Sequence, residues 1–310
     1  MTLLDTLPAA TRAAIPAALP AAAETVASLC SIYQRLAACA DLRPGSDVDD
    51  LFRRLVELVV GTPDACANDV LEDPVVDALA PRLRELCARG ETELEREWAA
   101  RIVAGRRPEN ELALFPYLDN YRRLSQLEAT VLRAAARRPL GSVAFVGSGP
   151  LPLSSLFLAQ NLEARVDGID CDASAISAAR RLTAALNAGG LRFHHVDAAD
   201  ADLSGYDAVV IAALVGTTSA EKAAMLRTLR PRMDPECILL MRSARGLRTL
   251  LYPEAEVESW SGFDVLDVVH PDDDVINSVI VARPRAEVTP VHRDSVAGPG
   301  RGGGVTWRLC

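Results

Sequence analysis

The sequence predicts an α/β protein: a mostly parallel sheet with helices on both faces, ended by an antiparallel hairpin and preceded by an all-helical domain. Three observations carry this. From Gly141 onward, strand-like and helix-like stretches alternate, the pattern of a parallel sheet with crossover helices. Near the end, "FDVLDVVH" and "INSVIVARP" are separated by "PDDDV" alone. So short a link cannot make a parallel crossover, so the two runs form a hairpin. Before Pro139, apolar residues recur at helical spacing instead.

The helical part comes first, over residues 1–138. Leu51, Leu55, Leu58 and Val59 form one stripe, Leu79, Leu83 and Leu86 another, and Leu94, Trp98 and Ile102 a third. Pro44-Gly45, Gly61-Thr62-Pro63 and Gly90 are expected to punctuate them. The α/β domain follows over 139–285. "SVAFVG" is its first strand and Leu153–Gln160 its first helix. "ARVDGID" is the second strand, and Ala175, Ala179, Leu182 and Leu186 mark the next helix. "LRFHHVD" and "YDAVVIAALV" are strands three and four. A helix around Ser219–Leu229 and the strand "CILLMRSA" lead to the hairpin. Residues 286–310, ending "GPGRGGGVTWRLC", are too polar and Gly-rich to bury a core and are expected to be a disordered tail.

Composition narrows the function. The chain has 310 residues, about half of them apolar, and a net charge of −9. That charge argues against a broad nucleic-acid footprint. No apolar run is long enough to cross a bilayer. The N-terminus lacks a basic region ahead of an apolar core, so it does not read as a signal peptide. Seven scattered cysteines then suggest reduced thiols in a cytoplasmic protein. Four histidines and no Cys-x-x-Cys pair offer no metal-ligand spacing, so no metal is expected. Small-molecule substrates are the expected partners, with neither nucleic acid nor membrane; the sequence does not specify an oligomeric state.

The first strand of the α/β domain runs into Gly147-Ser148-Gly149-Pro150. Glycines here let the backbone turn tightly and approach a ligand. Asp170, at the end of strand two, is placed to take the hydroxyls of a ribose. Dinucleotides and S-adenosylmethionine (SAM) both fit that much. A pyrophosphate needs the N–H groups of a helix N-terminus, and Pro150 and Pro152 remove two of them. SAM has no phosphate. The terminal hairpin likewise suits a SAM-dependent methyltransferase-like Rossmann domain better than a dinucleotide fold. Asp197, ending strand three, is then a candidate for the adenine amino group, although a turn aspartate accounts for it equally well. An NAD(P)-dependent oxidoreductase and a non-catalytic SAM-binding scaffold remain competing readings.

Five stretches carry a family resemblance: "FPYLDNYRRLSQLEATVL", "VAFVGSGPLPLSSLFLA", "YDAVVIAALVG", "MRSARGLRTLLYP" and "HPDDDVINSVIVAR". In this order, from about Asp77 to Arg283, they resemble the nicotianamine synthases. The resemblance implies a helical domain joined to a SAM-binding one. It implies transfer of the 3-amino-3-carboxypropyl group of SAM to an amine, with release of 5′-methylthioadenosine, to make nicotianamine or a related metallophore without a metal cofactor. A single transfer onto a free amino acid such as histidine is the alternative within the family. The matching acid is Glu95, as base for the incoming amine, with Tyr117 and Tyr121 beside it. Both tyrosines are equally readable as core aromatics. Arg242 and Ser243 are candidates for a substrate carboxylate; Asn277 is a further substrate-binding candidate that also reads as a hairpin residue. Arg245 and Gly246 depart from the family's usual histidine and alanine.

Overall fold

A computed structural model describes residues 18–285; the expected tail, 286–310, lies outside the described residues. The chain forms two compact units. The first runs up to Leu94 and adds Arg245–Tyr252; the second comprises Glu95–Ala244 and the residues from Pro253 on.

The first unit is helical. It contains α1 (Ala18–Ala38), α2 (Ser46–Gly61), α3 (Asp64–Leu71) and α4 (Pro74–Ala104) as far as Leu94. Leu29, Leu36, Leu51, Leu55, Val70 and Leu83 are fully buried, each contributing roughly 1.5–3 kcal/mol. Gly90 does not punctuate the helices as expected, because α4 continues through both Pro81 and Gly90. Gly90 is instead a packing residue, since a Cβ there would land on the Phe52 ring of α2. A short 3-10 turn, Gly246–Leu250, joins this unit. There Arg84 donates to the Thr249 carbonyl at 3.0 Å and Tyr252 to Glu91 at 2.8 Å.

The second unit holds the sheet. Its strands are β1 (Ser142–Val146), β2 (Arg165–Asp170), β3 (Leu191–His195), β4 (Ala208–Ile211), β5 (Ile238–Ser243), β6 (Phe263–Val269) and β7 (Ser278–Pro284). The order is β3-β2-β1-β4-β5-β7-β6. The first five pair in parallel, and β7 is antiparallel to both β5 and β6. The expected α/β class with its terminal hairpin is thus present. Its helices are α5 (Pro108–Leu112), α6 (Leu118–Ala135), α7 (Leu153–Leu162), α8 (Ala173–Ala185) and α9 (Ser219–Leu229), besides the end of α4.

Alternation along each strand makes two cores. Val143 and Phe145 of β1 face Leu124, Leu132 and Leu158 of α6 and α7. Ala144 and Val146 face the other way, onto Met225, Leu226 and Leu229 of α9. Because α6 packs on the sheet, the change of character near Pro139 falls inside this unit. Consecutive strands run outward in opposite directions from β1 and β4, which are adjacent. That is the switch point where an open α/β sheet opens a crevice at its strand ends.

Cys30, Cys39, Cys66, Cys87 and Cys237 are free thiols. Among the described residues no helix is long and apolar enough to cross a membrane.

Candidate active site

The crevice begins at the turn after β1. The Gly147 and Ser148 N–H groups donate to the Ile169 carbonyl at 2.8 and 3.2 Å, so the turn is sewn to β2. Gly147 and Gly149 have φ of +80° and +66°, a region costly for residues with a Cβ. The Gly149 N–H donates to one carboxylate oxygen of Asp170 at 2.9 Å, and the Asp172 N–H to the other at 2.9 Å. Asp170 therefore braces the turn. Each oxygen keeps a second lone pair for a ligand hydroxyl. Pro150 is buried, and Pro152 caps α7 without a side-chain hydrogen bond. Asp197 follows β3 and accepts from the Ala199 N–H at 2.8 Å, capping a short 3-10 turn.

Glu95 arrives at the same place from α4. A Cβ on Gly149 would lie 2.6 Å from Glu95 Oε2, so the carboxylate rests directly on the glycine turn. Its Oε1 accepts a hydrogen bond from the Tyr121 hydroxyl at 2.9 Å. Tyr121 lies in α6, where it packs edge-on against Phe115. Tyr117 stands at the N-cap of α6 and also packs edge-on against Phe115, at 6.0 Å between ring centroids. Trp98, one turn after Glu95 on α4, meets Phe115 at 5.4 Å. The neighbouring Arg96 reaches Asp172 at 3.1 Å, so α4 is tied to the segment after β2. The acid, the phenol and the glycine turn thus converge.

The expected carboxylate binders divide. Arg242 is turned into the interior: Nε and Nη2 donate to the two oxygens of Glu128 at 2.7 and 3.0 Å, and Nη2 also to Ser154 at 2.9 Å. Glu128 is fully buried. A guanidinium held bidentately by a buried carboxylate is engaged as a buried ion pair. Ser243 is buried and its hydroxyl accepts from the Ala255 N–H at 2.9 Å. Asn277 precedes Ser278, which pairs with Ser243. Its Nδ2 is buried without a hydrogen-bond partner among the described residues, as are the hydroxyls of Ser125, Ser148 and Ser155. Such groups are costly unless something satisfies them. The acidic loop before Asn277 is held by α6: Asn120 donates to the Asp274 carbonyl at 2.9 Å, and Arg123 pairs with Asp273 at 3.2 Å.

Sequence reasoning missed Glu128 and Lys222, both fully buried. Glu128 lies one turn from the buried Leu124 and Leu132, and Lys222 one turn from Met225 and Leu226. A charge on the apolar stripe of a helix is the signal that finds both. Among the described residues no group of three or more His, Cys, Asp or Glu could hold a metal. A cavity of about 850 Å³ elsewhere in the unit is lined by Arg122, Phe157, Asn161 and Arg165 and includes none of the site residues.

A family model described as nicotianamine synthase protein matches residues 20–289. Nicotianamine synthase 9 of Hordeum vulgare is 42% identical over 262 residues, covering 82% of this chain and 76% of that protein. Nicotianamine synthase 2 of Oryza sativa subsp. japonica is 40% identical over 294 residues, 91% of this chain and 86% of the relative. Among solved structures, a glutamate-to-glutamine mutant of MtNAS matches with a TM-score of 0.75 at 22% identity, over 84% of this chain and 98% of that one. MtNAS in complex with MTA and tNA matches at 0.74 and 23%, over 83% and 96%. At that identity these two establish the fold. With sequence matches spanning most of both proteins, this chain belongs to the nicotianamine synthase family.

Proposed function

We propose that this chain transfers the 3-amino-3-carboxypropyl group of SAM to an amine, releases 5′-methylthioadenosine, and by repeated transfer makes nicotianamine. The observation that carries the reading is Glu95, hydrogen-bonded to Tyr121 at 2.9 Å and resting on the Gly149 turn. The glutamate-to-glutamine mutant of MtNAS, of the same fold, has been solved in complex with S-adenosylmethionine.

In this reading Gly147, Ser148, Gly149 and Pro150 shape the nucleoside end of the crevice. Asp170 takes the ribose hydroxyls through its remaining lone pairs, and Asp197 the adenine amino group. The acceptor is an ammonium at neutral pH and needs its lone pair freed. Glu95 takes that proton, and Tyr121 orients the carboxylate by its hydrogen bond. The amine nitrogen then bonds to the substrate carbon joined to sulfur. The carbon–sulfur bond breaks, its electron pair returns to the sulfonium, and a neutral thioether leaves. Asn277 serves the substrate carboxylate, since its buried amide has a donor to spare. Tyr117 walls the site through the aromatic cluster.

Mass spectrometry of the chain incubated with SAM, with and without free amino acids, tests this. 5′-Methylthioadenosine and nicotianamine are expected from SAM alone. S-adenosylhomocysteine as the main product would sink the reading. A product that requires added histidine and carries one aminocarboxypropyl group would replace it by the single-transfer alternative.

A further inference from the structure

Lys222 is fully buried on α9. Its Nζ donates to the backbone carbonyls of Ala213 at 2.8 Å and Val215 at 2.9 Å. Those carbonyls belong to the loop that follows β4, on the side of the switch point opposite the glycine turn. The loop leaves the sheet beside β1, with the Ala212 N–H donating to Val146 at 3.0 Å. Its Val215 side chain fills the space that a Cβ on Gly147 would need. Gly216 packs flat on Lys222, where a Cβ would lie 3.0 Å from Lys222 Cγ. A second clip holds the far end of the loop: Glu221 accepts from the N–H and hydroxyl of Thr217 at 2.7 and 2.6 Å.

Burying an ammonium costs several kcal/mol unless its partners compensate. Two neutral carbonyls are meagre compensation. Burial accordingly pushes Lys222 down to about 7, against the opposing pull of the nearby Glu221. A neutral amine still carries two N–H donors, one for each carbonyl, so the clip holds in either protonation state. What this arrangement secures is the position of Val215 against the Gly147 turn.

We propose that Lys222 is a positioning residue for the nucleoside pocket: it holds the β4–α9 loop against the glycine turn, so that the crevice is already shaped when SAM arrives. The proposal rests on the SAM reading given above. It assigns Lys222 to the nucleoside end and not to the aminocarboxypropyl arm.

The test compares SAM with 5′-methylthioadenosine, which share the adenosine and differ in the arm. Dissociation constants for both are measured by calorimetry on the wild-type chain, Lys222→Met and Val215→Ala, with KM for SAM and kcat alongside. Lys222→Met removes both donors and should weaken the two ligands by a common factor of up to about thirtyfold, the worth of two ordinary hydrogen bonds. Its KM should rise by more than its kcat falls. Val215→Ala leaves the clip intact but removes its point of action; it should weaken both ligands in parallel, and it decides the matter if Lys222→Met does not fold. The double variant should bind no worse than Lys222→Met alone. Wild-type affinities in either folded single variant would overturn the proposal, as would loss of SAM binding with 5′-methylthioadenosine binding kept. A wild-type chain that binds neither ligand would overturn the SAM reading, and this proposal with it.

Discussion

Glu95 shows what a single residue owes to its surroundings. On its helix it is one of several glutamates, with Glu93 and Glu97 as near neighbours. Its distinction is the Tyr121 hydroxyl on one oxygen and the glycine turn against the other. Glu95→Gln keeps the size and removes the basicity, so turnover should fall about 10²–10⁴-fold, the usual loss for a general base. Glu93→Gln and Glu97→Gln should stay close to wild type in the same assay; a larger loss in either would mean that the wrong acid has been chosen. Arg242 and Glu128 make a different prediction. Removing one partner of a buried pair strands the other, so Arg242→Met should cost about 3–5 kcal/mol in denaturant unfolding. Adding Glu128→Leu should recover much of that loss. A substrate-binding Arg242 would give the opposite pattern, with stability kept and KM raised. Glu95 and Tyr121 were proposed through the resemblance: Tyr121 stands in one of the stretches that carry it, and Glu95 within the span it covers. The fate of Arg242 was not, because its partner lies 114 residues away and nothing local announces it.

At the scale of elements, the turn after β1 couples two demands. Gly149 needs a positive φ of +66° and leaves room for Glu95. Gly149→Ala should therefore lower stability by about 1–2 kcal/mol through backbone strain. It should also displace the Glu95 carboxylate, and misplacement on the ångström scale costs on the order of a hundredfold in rate. Thermal unfolding and kcat/KM check the two effects separately; an unchanged kcat/KM would mean that Glu95 does not work from this position. The strands, the hairpin and the helices of the α/β part were readable because their periods are local. The course of α4 was not. Gly90 has the appearance of a helix end, yet the helix continues because the residue's smallness accommodates Phe52 from another helix.

For the whole molecule, pH reports on the buried lysine. Lys222 titrates at about 7 when folded, below its ordinary value of 10.5. Between those values the unfolded chain holds more protons, so stability rises with pH, by at most about 1.4 kcal/mol per unit. Below pH 7 both states are protonated and the contribution stays at its least favourable level. Burial pushes Cys87 and Cys237 up to about 12, so they oppose this trend only above their ordinary value of 9. Unfolding free energies at pH 7–9 should rise more steeply for wild type than for Lys222→Met; equal slopes would show that Lys222 keeps its ordinary titration. The sequence by itself determined the alternation of strands and helices, the closing hairpin and the glycine turn, because each is written in neighbouring residues and their spacing; the candidate acid came only from the family resemblance. Tertiary structure decided that Glu95 meets Tyr121 and Gly149, that Arg242 is consumed by Glu128, and that Lys222 clasps the loop beside the crevice. Those pairings depend on how helices distant in sequence pack on the sheet, and the burial that packing imposes decides which polar groups are satisfied internally and which remain for a ligand.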